Sequence, residues 1–209
     1  MMPAIQKRAL QTREKILKAL ESLLMETEFE NISIADIARD AGVAVGSVYS
    51  HFKDKSALLP TLLERRLDRV EARILELEAD PPLGADLRAT VGLLVEEVRS
   101  QSFDERGPLR ALLTHRRLYP DLDVPRRPVL NDRLAAVFKR ALETHRAEIG
   151  WTDLQAAANE VYYVVHVMFL DDILFNAPPL PSSVTPSSDA KVEAIADMVY
   201  RRLTGPGPR

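Results

Sequence analysis

The stretch SIADIARDAGVAVGSVYSHFKDKSALL, residues 33–59, carries the clearest structural pattern in this chain. Apolar residues recur at helical spacing over 34–41, and a second short segment of the same kind follows. Ser33 and Asp36 have the spacing of a capping pair at the start of the first segment. Gly42 follows its last residue, where a left-handed glycine commonly ends a helix. The stretch therefore predicts two short helices joined by a tight turn.

A longer amphipathic segment lies on each side of this pair. Residues 12–26 place Ile16 and Leu20 on a single apolar stripe, and another helix is predicted to start at Asp54 and run past Arg65. Two short helices joined by a glycine turn and braced by longer ones form a helix-turn-helix layout. Helical bundles that read no DNA groove also contain such pairs, so the layout alone leaves that alternative open.

The second short helix is predicted to bury Val48 and Phe52 and to leave its other side exposed. The segment TREKILKALESLL, followed by the quoted stretch, resembles the N-terminal domain of TetR-type bacterial transcriptional regulators. The resemblance covers about the first 60 residues. It rests on positions that stand at the family's spacing: Ile37, Ala38, Ala41, Gly42, Val43, Gly46, Ser47, Tyr49, His51, Phe52, Lys55, Leu58 and Leu59.

Three positions depart from the family pattern. Glu28 stands where the family usually has glycine, and Ser33 replaces the common threonine cap. Ala44 replaces the serine or threonine that usually caps the third helix, so that helix is expected to lack a side-chain cap.

The resemblance implies a DNA-binding domain over residues 1–55 and a ligand-binding and dimerisation domain over 56–209. It implies that the third helix enters a major groove of double-stranded DNA. Phosphate contacts are expected from Tyr49, His51 and Lys55, and base-edge contacts from Val45, Gly46 and Ser47, with Ser33 at the neighbouring helix start. This face contains no Arg, Asn or Gln, so specificity is expected to depend on DNA shape, with help from Arg39 or from an arm carrying Lys7, Arg8 and Arg13.

Composition narrows the remaining possibilities. The 209 residues carry a formal charge of −3, and the first 60 hold eight basic and eight acidic side chains, so net charge gives no sign of nucleic-acid binding. There is no cysteine, and the longest apolar run, residues 161–170, is about half a membrane span. The four histidines form no HxxxH or HExxH motif, and no phosphate loop is present. We therefore expect a cytoplasmic, soluble non-enzyme with no membrane segment, metal or cofactor.

The rest of the chain reads as helices separated by proline-containing breaks. The longest helix is predicted over 152–176, a proline- and serine-rich link over 177–188, and a last amphipathic helix over 189–203. No strand pattern appears. The predicted fold is all-α, with an N-terminal three-helix helix-turn-helix domain, a C-terminal helical domain and about nine helices in total.

One face of the predicted 152–176 helix mixes polar and aromatic groups, with these members: Gln155, Asn159, Tyr162, His166, Phe169, Ile173 and Asn176. Such a face suits a ligand cavity or a subunit interface, and the sequence leaves both open. The ligand-binding candidates are Tyr162, His166 and Phe169, with Tyr119 and Trp151 as weaker ones. The last helix is expected to find little to bury against within its own chain and to join a homodimer interface.

The predicted function is a ligand-responsive transcriptional regulator. It would be a repressor that binds a palindromic operator as a homodimer and is released by a small apolar or aromatic effector. The alternative is an effector-independent DNA-binding protein that acts architecturally or through a protein partner.

Overall fold

The computed structural model describes residues 4–119, 122, 124–175 and 187–207. Within these ranges the chain contains α-helices and short 3₁₀ turns and no β-strand, which confirms the predicted all-α class. The helices are α1 (Ala4–Glu26), α2 (Ile34–Ala41), α3 (Val45–His51), α4 (Leu58–Ala79), α5 (Leu87–Phe103), α6 (Arg106–His115), α7 (Arg126–Glu143), α8 (Leu154–Met168), α9 (Leu170–Leu174) and α10 (Ser188–Thr204). Since only Phe169 separates α8 from α9, the described helices are nine if that pair is counted as one.

The chain divides into two compact units. The first unit contains Met1–Arg66 and Glu105–Val124, and the second contains Leu67–Asp104 and Pro125–Arg209. The first unit thus holds α6 together with the helix-turn-helix segment. The domain boundary expected after residue 55 remains a prediction.

The first unit is built around the apolar stripe of α1. Ile16, Leu20 and Leu24 are fully buried, as their spacing predicts, and α2 adds Ile37 while α3 adds Val48. Burial of such side chains is the main favourable term in folding. The two short helices are therefore held by packing on α1 rather than by their own helix propensity.

A close backbone contact also joins α6 to α1. A Cβ atom placed on Gly107 would lie 2.2 Å from the carbonyl oxygen of Leu24, a separation that no side chain tolerates. Glycine at this position therefore lets the start of α6 lie directly on the end of α1.

The predicted turn between α2 and α3 is present. Ser33 and Asp36 form a reciprocal capping box at the start of α2, and Gly42 ends the helix with φ 64° and ψ 38°. Gly42 is the one glycine with positive φ among the residues that the structure describes. The turn therefore rests on the residue types from which it was predicted.

The second unit corrects two expectations. The apolar stripe of α10 (Ile195, Val199 and Leu203) is buried, and α10 packs chiefly on α5 of the same chain. The expectation that this stripe finds little to bury against was wrong, because a sequence does not show which distant helix will cover a face.

The helix predicted over 152–176 is interrupted. It breaks at Phe169, where φ is −97° and ψ is −3° and the amide bonds to the His166 carbonyl three residues back. Asn176 and the link over 177–186 lie outside the described residues. No helix in the described ranges has the length and apolar character needed to cross a membrane.

Candidate nucleic-acid interface and effector face

The exposed side of α3 consists of the residues that the sequence assigned to DNA contact. Val45 is 43% exposed and Tyr49, one turn further on, is 54% exposed. Gly46 lies beside Val45, and beyond its chain neighbours and its own helix backbone no described atom lies within 4 Å of the position that a Cβ on it would occupy. Val48 of the same helix is fully buried, so it anchors α3 while this face stays towards solvent.

The start of α3 has no side-chain cap. Ala44 occupies the cap position and makes no side-chain hydrogen bond, as its residue type predicts. The amide of Ser47 donates to the Ala44 carbonyl at 2.8 Å, and the hydroxyl of Ser50 donates back to the Ser47 carbonyl at 2.8 Å. Ser47 itself is partly exposed.

His51 and Lys55 lie at and beyond the end of α3, and they differ in their surroundings. His51 is the last residue of α3 and is half-buried. The ammonium of Lys55 donates to the carbonyl oxygens of Phe29, Glu30 and Ile32 at 2.8, 3.1 and 2.9 Å. Burial lowers the pKa of Lys55, and the nearby charge of Glu30 partly opposes that shift.

Lys55 therefore holds the 3₁₀ turn Phe29–Asn31 in place ahead of α2, a role that the sequence did not suggest. The phosphate contact expected of Lys55 remains a prediction.

Ser33 serves α2 as its cap. Its hydroxyl donates to the Asp36 carboxylate at 2.5 Å and accepts the Asp36 amide at 3.1 Å. The hydrogen bonds from the Ser33 hydroxyl and amide, and then that from Arg39, lower the pKa of Asp36 from its ordinary 3.8 to about 2. Arg39 stays largely exposed while it bonds to Asp36 at 2.7 Å.

Two cationic or titratable side chains of α6 lie against the segment that precedes α2. Arg110 is 2% exposed and donates to the Leu24 carbonyl and the Glu28 carboxylate, both at 3.0 Å. The imidazole of His115, also buried, lies 3.0 Å from the Glu30 carboxylate. These pairs could not be predicted from the sequence, because their members are more than 80 residues apart and no local pattern links them.

The expected effector residues are placed in different surroundings. Tyr162 and His166 come together, with ring centroids 6.1 Å apart, and the Tyr162 hydroxyl donates to the side-chain oxygen of Asn131 at 3.1 Å. The Tyr162 ring also meets Phe138 edge to face at 5.6 Å. Both Tyr162 and His166 are partly exposed, so this pair remains reachable from solvent.

The other three candidates have partners of their own. Phe169 is 1% exposed and lies 5.7 Å from the ammonium of Lys191. Trp151 is buried, and its indole N–H donates to the Arg202 carbonyl at 3.0 Å. Tyr119 belongs to the first unit, where its hydroxyl lies 3.2 Å from that of Ser56. The structure thus places the rings of Tyr162 and His166 together, whereas Phe169, Trp151 and Tyr119 contact other groups.

Apolar side chains also remain exposed on the C-terminal helices. On α8, Tyr163 is 67% exposed and both Val167 and Met168 are 40% exposed, and Met198 of α10 is 44% exposed. Single exposed apolar residues are ordinary, but several on neighbouring helices are typical of an interaction surface. Within the described ranges, no cluster of three His, Asp or Glu side chains is suited to hold a metal ion.

Comparison with known proteins matches the helix-turn-helix segment of this chain to bacterial regulatory proteins. The model of the family described as bacterial regulatory proteins, tetR family, matches residues 16–62. A curated HTH-type transcriptional regulator of Staphylococcus aureus strain USA300 is 39% identical over 64 residues, which cover 31% of this chain and 35% of the relative. Another, from the bovine strain RF122, is 33% identical over 76 residues, covering 36% of this chain and 41% of the relative. The matched part of the chain thus spans well under half of these relatives.

Solved structures extend the likeness in fold over nearly the whole chain. A TetR-family transcriptional regulator from Agrobacterium tumefaciens has a TM-score of 0.64 at 21% identity, covering 94% of this chain and all of the other. The reduced form of NemR from Escherichia coli has a TM-score of 0.63 at 19% identity, with the same coverage. At these identities the likeness concerns the fold alone. Residues 16–62 of this chain thus match the tetR family of bacterial regulatory proteins, and the matched relatives are described as transcriptional regulators.

Proposed function

We propose that this chain is a cytoplasmic transcriptional repressor that binds a palindromic operator as a homodimer and leaves it when a small apolar or aromatic effector binds. The observation that carries the proposal is the exposed face of α3, where Val45, Gly46 and Tyr49 face solvent while Val48 of the same helix is buried. An exposed short helix that follows a capped helix and a glycine turn suits insertion into a major groove.

The residues of this face divide into two roles. The isopropyl group of Val45 suits a thymine methyl, the hydroxyl of Ser47 can donate or accept, and Gly46 permits close approach to the base pairs. Tyr49 and His51 would hold phosphates and fix the register, with Lys55 added by the family resemblance. The role of Lys55 is the least direct, because its donors already face three carbonyl oxygens.

Shape readout would supply the remaining specificity. No side chain on this face forms the bidentate base contacts that Arg, Asn and Gln make. Arg13 of the proposed arm donates to Thr61 at 3.1 Å and lies 5.7 Å from the Phe52 ring, so it already has partners in the protein. Lys7 and Arg8 are exposed in α1 and are better placed to reach DNA.

The homodimer is supported by the exposed apolar side chains of α8 and α10. Tyr163, Val167 and Met198 would be covered by a second copy, whereas the buried stripe of α10 is already used within the chain. A symmetric dimer would present two copies of α3, which must lie about 34–36 Å apart to enter successive major grooves.

The effector proposal rests on Tyr162 and His166. They combine aromatic surface with two groups able to form hydrogen bonds, and both are partly exposed. An effector bound here would release DNA only if it favoured a conformation with a different separation of the α3 copies, and so bound the two states unequally.

Selection of duplexes from a random DNA pool, with sedimentation of the purified protein, tests the proposal. We expect a palindromic sequence to be enriched and the protein to sediment as a dimer that Tyr163→Arg dissociates. A monomer at micromolar concentration, or no enrichment over several rounds, would refute it. A screen of aromatic compounds for operator release separates the effector model from its alternative, since an effector-independent protein would give no releasing compound.

A further inference from the structure

A groove lies in the second unit between the end of α4 and the middle of α5. Its volume is about 550 Å³, within the range of small-ligand sites. Its apolar lining comes from Leu77, Pro81, Pro82, Leu83 and Leu93. Leu83 and Leu93 are 47% and 45% exposed, so the groove offers apolar surface to solvent. None of the residues expected to bind an effector lines it.

The loop that forms one wall of this groove is held firmly. The amide of Gly84 donates to the hydroxyl of Thr90 at 2.9 Å, and that fully buried hydroxyl lies 2.8 Å from the Nε2 atom of His145. A Cβ on Gly84 would lie 2.4 Å from the Cβ of Ala89, so the loop packs closely on α5. The wall is therefore preformed, so less conformational entropy is lost when a ligand binds.

The charged groups along the groove are already paired, with one exception. Arg73 forms two hydrogen bonds with the carboxylate of Glu97, at 2.9 and 2.7 Å, and Glu96 is paired with Arg99. The side chain of Asp80 is exposed and makes no ion pair or hydrogen bond with any residue in the described part of the chain.

The surroundings of Asp80 favour a cation. Asp80 follows Ala79, the last residue of α4, where the helix dipole presents its negative end and Arg140 donates to the Glu78 carbonyl at 2.7 Å. Pro81 and Pro82 come next, and proline has no backbone N–H to offer to an anion. This end of the groove thus presents a carboxylate with no neighbouring backbone donor.

We propose that the groove binds a small organic cation. Its apolar body would pack on Leu83 and Leu93, and its charged group would pair with Asp80. This site is additional to the proposed effector pair and to the DNA-binding face.

Titration of the full chain with phenyltrimethylammonium, followed by NMR or calorimetry, tests the proposal, with benzenesulfonate as the anionic counterpart. We expect the cation to bind and the anion not to bind. Asp80→Asn should weaken cation binding about fivefold, the effect of losing one exposed ion pair. Leu93→Gln should weaken it too, whereas Asp132→Asn, a change at an exposed carboxylate on α7, should leave it unchanged.

Three results would overturn the proposal. The first is that the cation binds the wild type and Asp80→Asn equally, and the second is that the cation and the anion bind equally. The third is that the cation does not bind at millimolar concentration, which would also result if a second copy of the chain covered the groove. All three substituted side chains are exposed, and circular dichroism would confirm that the variants fold. No DNA takes part in this assay, so its outcome is independent of the proposed repressor function.

Discussion

The ammonium nitrogen of Lys55 lies 2.8 Å from the carbonyl oxygen of Phe29 and 4.6 Å from the centroid of the Phe29 ring. The same nitrogen reaches the carbonyl of Ile32 at 2.9 Å. The Lys55 ammonium thus donates hydrogen bonds to carbonyl groups in and just after a short 3₁₀ turn, which has no following helical turn to supply further donors. The turn leads into α2, so this single side chain helps to set where the helix-turn-helix begins.

Lys55→Met should destabilise the first unit. We expect the free energy of unfolding to fall by about 1–2 kcal/mol, because several hydrogen bonds from a charged donor are lost while the aliphatic part is kept. Chemical denaturation measures this. Lys53→Met is the matched control, since Lys53 is exposed, and an equal loss in both variants would contradict the assigned role.

The same variant tests the phosphate contact that the family resemblance assigns to Lys55. We expect the slope of log affinity against log salt to fall by about one when a phosphate contact is removed. The measurement should be made at a temperature where both proteins are fully folded. A loss of stability with an unchanged slope would show that Lys55 acts only within the protein.

The capping box of α2 should make stability depend on pH. The pKa of Asp36 is about 2 in the folded chain against an ordinary 3.8, so the carboxylate stabilises the fold fully above pH 3.8. That contribution is lost as pH falls through 2. We expect Asp36→Asn to be less stable than the wild type at neutral pH, with a difference that narrows below pH 4.

Thermal unfolding of both proteins between pH 7 and pH 3 checks this expectation, with Asp40→Asn as a control on an exposed carboxylate of the same helix. A difference between the wild type and Asp36→Asn that stays constant over the range would exclude the proposed linkage. The companion change Ser33→Ala should cost about 1 kcal/mol, as the loss of a helix cap usually does.

Arg110→Met should weaken the attachment of α6 to α1. The guanidinium is buried and bonds to the Leu24 carbonyl and the Glu28 carboxylate, and hydrogen bonds to a charged group contribute about 1.5–3 kcal/mol each. We expect a loss of about 2 kcal/mol in denaturant unfolding. Arg117→Met, at an exposed position just beyond α6, should change stability little, and similar losses in the two variants would contradict this account.

Local features of the fold were predictable because short-range physics decides them. The capping pair of Ser33 and Asp36, the left-handed Gly42 and the missing cap at Ala44 all follow from residue type and spacing. Val45 and Tyr49 share one face of α3 because they are four residues apart, and both are exposed.

Long-range partners were not predictable from one sequence. Nothing in the sequence shows that Arg110 reaches Glu28, or that α5 covers the apolar stripe of α10. The break at Phe169 was also missed, since the residues around it keep helical periodicity and no proline or glycine marks it. For the same reason, Trp151 and Tyr119 were proposed as ligand residues although the structure gives each a partner within the protein.

Gly46 separates a DNA-binding role of α3 from a purely structural one. Because no atom lies within 4 Å of the added Cβ, Gly46→Ala should fold normally. Alanine should stabilise the helix by up to about 1 kcal/mol, because glycine is the poorer helix former. If α3 lies in a major groove, however, the added methyl group will meet the DNA.

The most direct measurement is operator affinity of Gly46→Ala beside that of Gly92→Ala, a change on α5 where the added Cβ also meets open space. We predict that both variants are at least as stable as the wild type and that only Gly46→Ala loses operator affinity, by tenfold or more, on the order of 1.4 kcal/mol. Unchanged operator affinity in Gly46→Ala would contradict the placement of α3 in the groove.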